Sequence, residues 1–247
     1  MKPLATDELL ELWDTTSGKS MLEKSLRLLS KVYSTDNIDQ VARLSIGERD
    51  ARLLEIREWL FGKTLRNKAN CQNCSETIEW ESNSNAMHLQ DFPEYFSLKN
   101  HELEKDSYYI KFRLLNSADL LNLTSIEHLT ENSYKKVISK CILSATKDNQ
   151  EYDINNLPES VWEALNDRMS EEDPQADIRM QLVCPNCNHS WEMNFDIGSY
   201  LWSEINVWAK KILEEVYLLA GFFRWSEKDI LNMSSNRRRL YIDMIRR

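Results

Sequence analysis

The chain has 247 residues, 42% hydrophobic, 29% charged and 10% aromatic. This is the profile of a folded protein with a core to bury, and it excludes disordered, collagen-like and disulfide-stapled chains. Its 31 basic and 40 acidic side chains leave a net charge of −9, a field that repels phosphate backbones and disfavours general nucleic-acid binding. The glycines Gly18, Gly47, Gly62, Gly198 and Gly221 lie too far apart to cradle a phosphate, so P-loop and dinucleotide-binding readings lose their support. The opening MKPLATDELLELWD carries acids where a secretory signal needs a basic start and an apolar run. No stretch approaches the length of a membrane span. The expected location is therefore the cytoplasm, without a membrane partner. Five cysteines in a reducing compartment, four of them in two C-x-x-C pairs, point to metal or redox chemistry.

In chain order, residues 1–70 read as an N-terminal helical region. Leu9, Leu10, Leu12 and Trp13 suggest a first helix, and Met21, Leu22, Leu26, Leu28 and Leu29 a second. The third is the clearest, with Ile46, Leu53, Leu54, Ile56, Leu60 and Phe61 at helical spacing and Gly62 where a helix end favours glycine. Its charges, Glu48, Arg49, Asp50, Arg52, Arg57 and Glu58, read as a solvated, internally paired face.

At Cys71 the pattern changes to a C-x-x-C turn followed by the strand-like Thr77, Ile78, Glu79 and Trp80, and the same grammar returns at Cys184. Residues 71–81 and 184–196 are expected to form two halves of one ribbon, with residues 82–183 an inserted α+β region. The insert carries a predicted strand at Tyr108 to Leu115, a helix around Tyr134 to Leu143 and a helix after Pro158. Within residues 148–177, ten acids stand against one base, Arg168; a solvated helix and loop is the simpler reading, a docking surface for a basic partner the sharper one.

Residues 197–247 read as a C-terminal helical region. A long helix follows Gly198, with Leu201, Ile205, Trp208, Ile212, Val216 and Leu219 in one stripe, and is expected to end at Gly221. Ser226 and Asp229 then suit an N-cap, with Trp225 and Ile230 as a hydrophobic staple. The last helix, from about Ser235, places Leu240, Tyr241, Met244 and Ile245 on one face.

Cys71, Cys74, Cys184 and Cys187 can supply four thiolates to one tetrahedral ion. A filled-shell cation such as zinc suits four sulfurs, and a strand after each pair lets two hairpins close over it as a zinc ribbon. Iron in a rubredoxin-like setting uses the same ligands, and zinc is preferred as the commoner occupant. A thioredoxin-like redox pair would open a helix, whereas both pairs here precede strands. Four sulfurs leave no open coordination position, which makes the expected ion structural. Cys141 reads as a buried helix residue without a ligand role; His189, two residues after the second pair, reads as an exposed loop residue, the alternative being that it replaces a cysteine or contacts a ligand from behind. His88, His101 and His128 have no nucleophile or carboxylate grammar around them, and a non-enzymatic protein is expected. From Arg237 to Arg247 five arginines face one acid, Asp243; a phosphate-binding patch beside a zinc ribbon is the rival reading, a structural or protein-docking helix the preferred one.

As a set, IGERDARLLEIREWLFG, CQNC, CPNC and EEVYLLAGFFRWSEKDILNMSSNRRRLYIDMI resemble a family of proteins encoded with phage-tail-like contractile injection systems and related prophages. That family is similar to the T-even-phage baseplate hub assembly chaperones. The resemblance covers the block up to the first knuckle and the last sixty or so residues, and leaves residues 82–180 unmatched. It implies zinc at Cys71, Cys74, Cys184 and Cys187. It also marks Gly47, Glu48, Arg49, Asp50, Leu53 and Leu54, and later Trp225, Ser226, Asp229, Ile230, Arg237, Arg238 and Tyr241. What it implies is assembly, with baseplate hub or spike proteins as partners. The expectation is thus a mostly helical α+β protein: a helical body, a discontinuous four-cysteine zinc ribbon and an inserted α+β region. Its expected place is the cytoplasm of a bacterial host, with the assembled particle as a further location.

Overall fold

The computed structural model describes residues 2–35, 37–93, 96, 98–121 and 131–246. His128 and Arg247 lie outside the described residues. Helices dominate: α1 (Thr6–Thr15), α2 (Met21–Val32), α3 (Ile38–Ala42), α4 (Ile46–Phe61), α5 (Ser117–Leu121), α6 (Glu131–Ser139), α7 (Glu159–Glu172), α8 (Ile197–Phe223), α9 (Glu227–Leu231) and α10 (Ser235–Ile245). The strands are β1 (Thr64–Asn70), β2 (Thr77–Asn83), β3 (Asn100–Lys105), β4 (Tyr108–Arg113), β5 (Ile142–Lys147), β6 (Gln150–Glu151), β7 (Arg179–Val183) and β8 (Ser190–Asn194). The protein is a mostly helical α+β chain. It divides into two compact units, one formed by the chain up to Ile38 and from Gly198 onward, the other by Asp39–Ile197.

In the first unit, Leu10 packs with Ala209 and Ile212, and Leu219 with Ile230 and Ile242. The predicted N-cap forms: the Asp229 N–H donates to Ser226 Oγ at 3.2 Å. Trp225 and Ile230 join the same apolar cluster, as a staple requires. Gly221 does not end α8, which runs on to Phe223 and stops where Arg224 turns left-handed at φ 61°. Leu240 and Met244 are exposed; α10 buries Ile242 and Arg238 instead. The buried guanidinium donates to Glu215 Oε2 at 2.8 Å and to the Met233 carbonyl at 2.6 Å.

In the second unit, antiparallel β3-β4-β5-β6 is covered by α7, whose Val161, Trp162 and Leu165 meet Ile110, Phe112 and Ala145. The helix expected up to Leu143 ends at Ser139 and gives way to β5, so Ile142 and Leu143 belong to a strand. Cys141 is fully buried as expected, but in the turn between them; burial pushes its thiol up to about 11, so it stays protonated.

The charged face of α4 is paired but not solvated. Glu48, Arg52 and Arg57 are all at least 95% buried. Arg52 Nη2 donates to Glu48 Oε1 at 2.5 Å and to the Pro93 carbonyl at 2.9 Å. Arg57 donates to the carbonyls of Gly62 and Thr64 at 2.6 and 2.7 Å, tying the end of α4 to the start of β1. At the other end of α4, Asp173 accepts from the Gly47 N–H at 3.0 Å and from Ser45 Oγ at 3.1 Å. Burial pushes the Asp173 carboxyl up to about 6, against the pull of those two donors and with Asp50 and Glu48 adding repulsion.

A Cβ on Gly47 would sit 2.0 Å from Asp173 Oδ1 and 3.0 Å from the Ala176 nitrogen. Gly47→Ala should therefore cost about 2–3 kcal/mol in urea unfolding, as overpacking of a tight site does. The folded state holds the Asp173 proton more tightly than the unfolded state does, so this group's contribution rises as pH falls from 6 towards 4. The stability of wild type minus that of Asp173→Asn should grow over that window by up to about 3 kcal/mol; a flat difference would contradict the assignment.

Candidate metal centre

Both knuckles are built alike. Residues 71–76 connect β1 to β2, and residues 184–189 connect β7 to β8, each pair of strands being antiparallel with Asn70 opposite Thr77 and Val183 opposite Ser190. The Cys71 N–H donates to the Glu76 carbonyl at 2.8 Å and the Ser75 N–H to the Cys71 carbonyl at 2.9 Å. In the second knuckle the Cys184 N–H donates to the His189 carbonyl and the Asn188 N–H to the Cys184 carbonyl, both at 2.9 Å. The residue after each second cysteine is left-handed, Ser75 at φ 60° and Asn188 at φ 57°. Such a turn folds the chain back so that both sulfurs of a pair face one side.

The two knuckles meet. Ligating atoms of Cys71, Cys74, Cys184 and Cys187 all lie within 4.8 Å of one another. Across the junction, Cys71 Sγ is 3.6 Å from Cys187 Sγ, and Cys74 Sγ is 3.6 Å from Cys184 Sγ. All four are free thiols. A tetrahedron of sulfurs about 2.3 Å from a zinc ion has edges of about 3.8 Å, so the spacing and the donor set fit a four-coordinate soft cation. With four thiolates such a site is closed, and an ion in it would cross-link and not activate water.

Burial pushes the Cys184 thiol up to about 11. Hydrogen bonds from the Asn73 side chain and the His189 N–H pull Cys187 down to about 6. The His189 ring stacks on Trp191 and its backbone serves the cluster, so this residue contributes N–H and carbonyl without ligating. His88 faces Glu58 Oε1 at 2.9 Å and His101 faces Glu172 Oε2 at 3.1 Å. The asparagines beside the sulfurs, Asn73 and Asn186, carry no metal-ligand signal of their own, and the one trace of them in the sequence is the shared third position of C-x-N-C.

Fold and centre together define an α+β protein with a four-thiol junction between remote segments. Residues 4–200 match the family described as T4 bacteriophage base plate protein. The chain belongs to that family, a phage baseplate family whose members interact with other baseplate proteins. The match takes in residues 82–180, where the sequence showed no resemblance, and ends before most of α8, α9 and α10. No curated protein and no solved structure matches the chain. No helix among the described residues is long and apolar enough to cross a membrane.

Cys184→Ser should lower metal content and melting temperature together, whereas Cys141→Ser should leave metal stoichiometry unchanged; metal analysis with thermal unfolding checks both. Affinity for zinc should fall at least tenfold per pH unit between 9 and 6, because Cys184 must release a proton to bind. Below about 6, Cys187 is protonated as well and the fall should steepen to at least a hundredfold per unit. Competition with a chelator across pH measures the slope, and a flat profile would exclude these thiols as ligands.

Proposed function

We propose that this chain is a non-enzymatic protein-binding factor, an assembly chaperone or minor structural component, for the baseplate hub of a phage tail or contractile injection system. Membership of the baseplate family over residues 4–200 carries this reading. In it, Cys71, Cys74, Cys184 and Cys187 hold a structural Zn2+, and the two hairpins form one zinc ribbon. The ion ties the two hairpins, remote in sequence, into one piece, folding and metal binding being coupled. Hub or spike proteins are the partners, met in the cytoplasm of the host during assembly.

The rival, nucleic-acid binding through α10, is weakened by its central arginine. Arg238 is 2% exposed and spends its charge on Glu215, so the apparent basic cluster loses one of its members to the interior. Arg237 lies over the Tyr241 ring at 5.8 Å.

Purification of the tagged chain from its native host should co-isolate identified hub or spike proteins, in proportions unaffected by nuclease. Retention of DNA or RNA that is lost with rising salt and with Arg237→Ala/Arg239→Ala would instead favour the rival.

A further inference from the structure

The four sulfurs are served in two different ways. The first cysteine of each knuckle is buried and takes hydrogen bonds from its own knuckle's backbone. Cys71 Sγ accepts from the Asn73 N–H at 3.4 Å, and Cys184 Sγ from the N–H groups of Asn186 and Cys187. The second cysteines are more open, Cys74 being exposed and Cys187 half-buried. These two take side-chain amides from the opposite knuckle, Cys187 in addition to the His189 N–H of its own. Asn73 Nδ2 donates to Cys187 Sγ at 3.6 Å, and Asn186 Nδ2 donates to Cys74 Sγ at 3.7 Å.

The exchange is reciprocal. Each amide reaches across the junction to the more exposed sulfur of the opposite knuckle. Four thiolates around a divalent cation carry a net charge of −2, and N–H donors aimed at the outer lone pairs disperse that charge and hold each sulfur in place. A Gln or Ala at either position could not reproduce this arrangement with the same reach.

We infer that Asn73 and Asn186 are paired positioning residues of the metal centre, each fixing the second sulfur of the opposite knuckle and setting affinity for a soft divalent cation. This rests on the metal reading proposed above. It assigns the third residue of each C-x-N-C a role distinct from that of Gln72 and Pro185, which precede the two asparagines.

Full-length wild type, Asn73→Ala, Asn186→Ala, the double variant and Gln72→Ala would be titrated with Co2+ and Zn2+ in competition with a chromophoric chelator. Each single asparagine variant should bind about tenfold more weakly, and the double variant should lose more than either. Gln72→Ala should match wild type. The sulfur-to-cobalt charge-transfer band should move to longer wavelength in the asparagine variants, because sulfurs deprived of N–H donors are more electron-rich; altered folding alone would not move it. Single variants with less than threefold loss and an unshifted band would overturn the inference, and they suffice for the test if the double variant does not fold. A wild type that takes up neither ion would overturn the metal reading itself, and the inference with it.

Discussion

Two sulfur contacts of 3.6 Å join positions 116 and 110 residues apart in the chain, and the middle of the fold depends on them. Each hairpin that carries a knuckle has only two strands, and neither β2 nor β8 buries any side chain fully. Isolated two-stranded hairpins are marginal in water. At the knuckles the groups that meet are four thiols, of which Cys71 and Cys184 are buried. An ion there would replace a core. By the chain-entropy reasoning used for disulfides, closing a loop of this length by a fixed link is worth about 4–5 kcal/mol. The long insert makes the link more valuable, because the open chain has more freedom to lose.

The second constraint is a set of buried charges around α4. A helix that buries Gly47, Glu48, Ala51, Arg52, Leu53, Leu54, Ile56 and Arg57 is enclosed on more than one side, and ordinary amphipathicity cannot place it. Its polar groups have specific partners: Glu48 and the Pro93 carbonyl for Arg52, the Gly62 and Thr64 carbonyls for Arg57, and Asp173 for the Gly47 N–H. Buried ionic groups add little net stability, but removing one partner strands the other in a dry site at a cost of about 3–5 kcal/mol. The arrangement therefore fixes the rotation and depth of α4 more than it strengthens the fold. Asp173 shows the cost directly, since its carboxyl is pushed up to about 6 by the burial that lets it cap the helix.

Those charges also mark where the sequence stops being legible. Helical spacing locates α1, α2, α4 and α8, because apolar residues recur there at the helical period. Repetition of C-x-x-C before strand-like residues locates both knuckles and anticipates their meeting. What periodicity cannot tell is whether a charged residue faces water. Glu48 and Arg52 have the spacing of a surface pair and the burial of a core pair, because remote segments pack on this helix, Pro93 and Phe96 against Arg52 among them. β1 and β7 escape notice since TLRNKAN and RMQLV carry little apolar alternation and owe their extended shape to their hairpin partners. β5 hides behind a helical signal because Val137, Ile138, Cys141, Ile142 and Leu143 form one apolar run that spans a helix end and a strand start. Gly221 misled in the opposite way: glycine is permitted inside α8, and Arg224 supplies the left-handed turn that ends it.

The same distinction between local signal and remote partner bears on how the protein works. A closed four-sulfur junction offers no open coordination position, and the most basic sequence segment turns its middle arginine inward to Glu215. Two features that in isolation suggest chemistry or phosphate binding thus serve the architecture. For a member of a baseplate family, the protein-binding role proposed above would place specificity in the shape those internal links maintain. In that proposal, loss of a sulfur or of the Arg238–Glu215 pair would affect partner binding in proportion to the surface each supports.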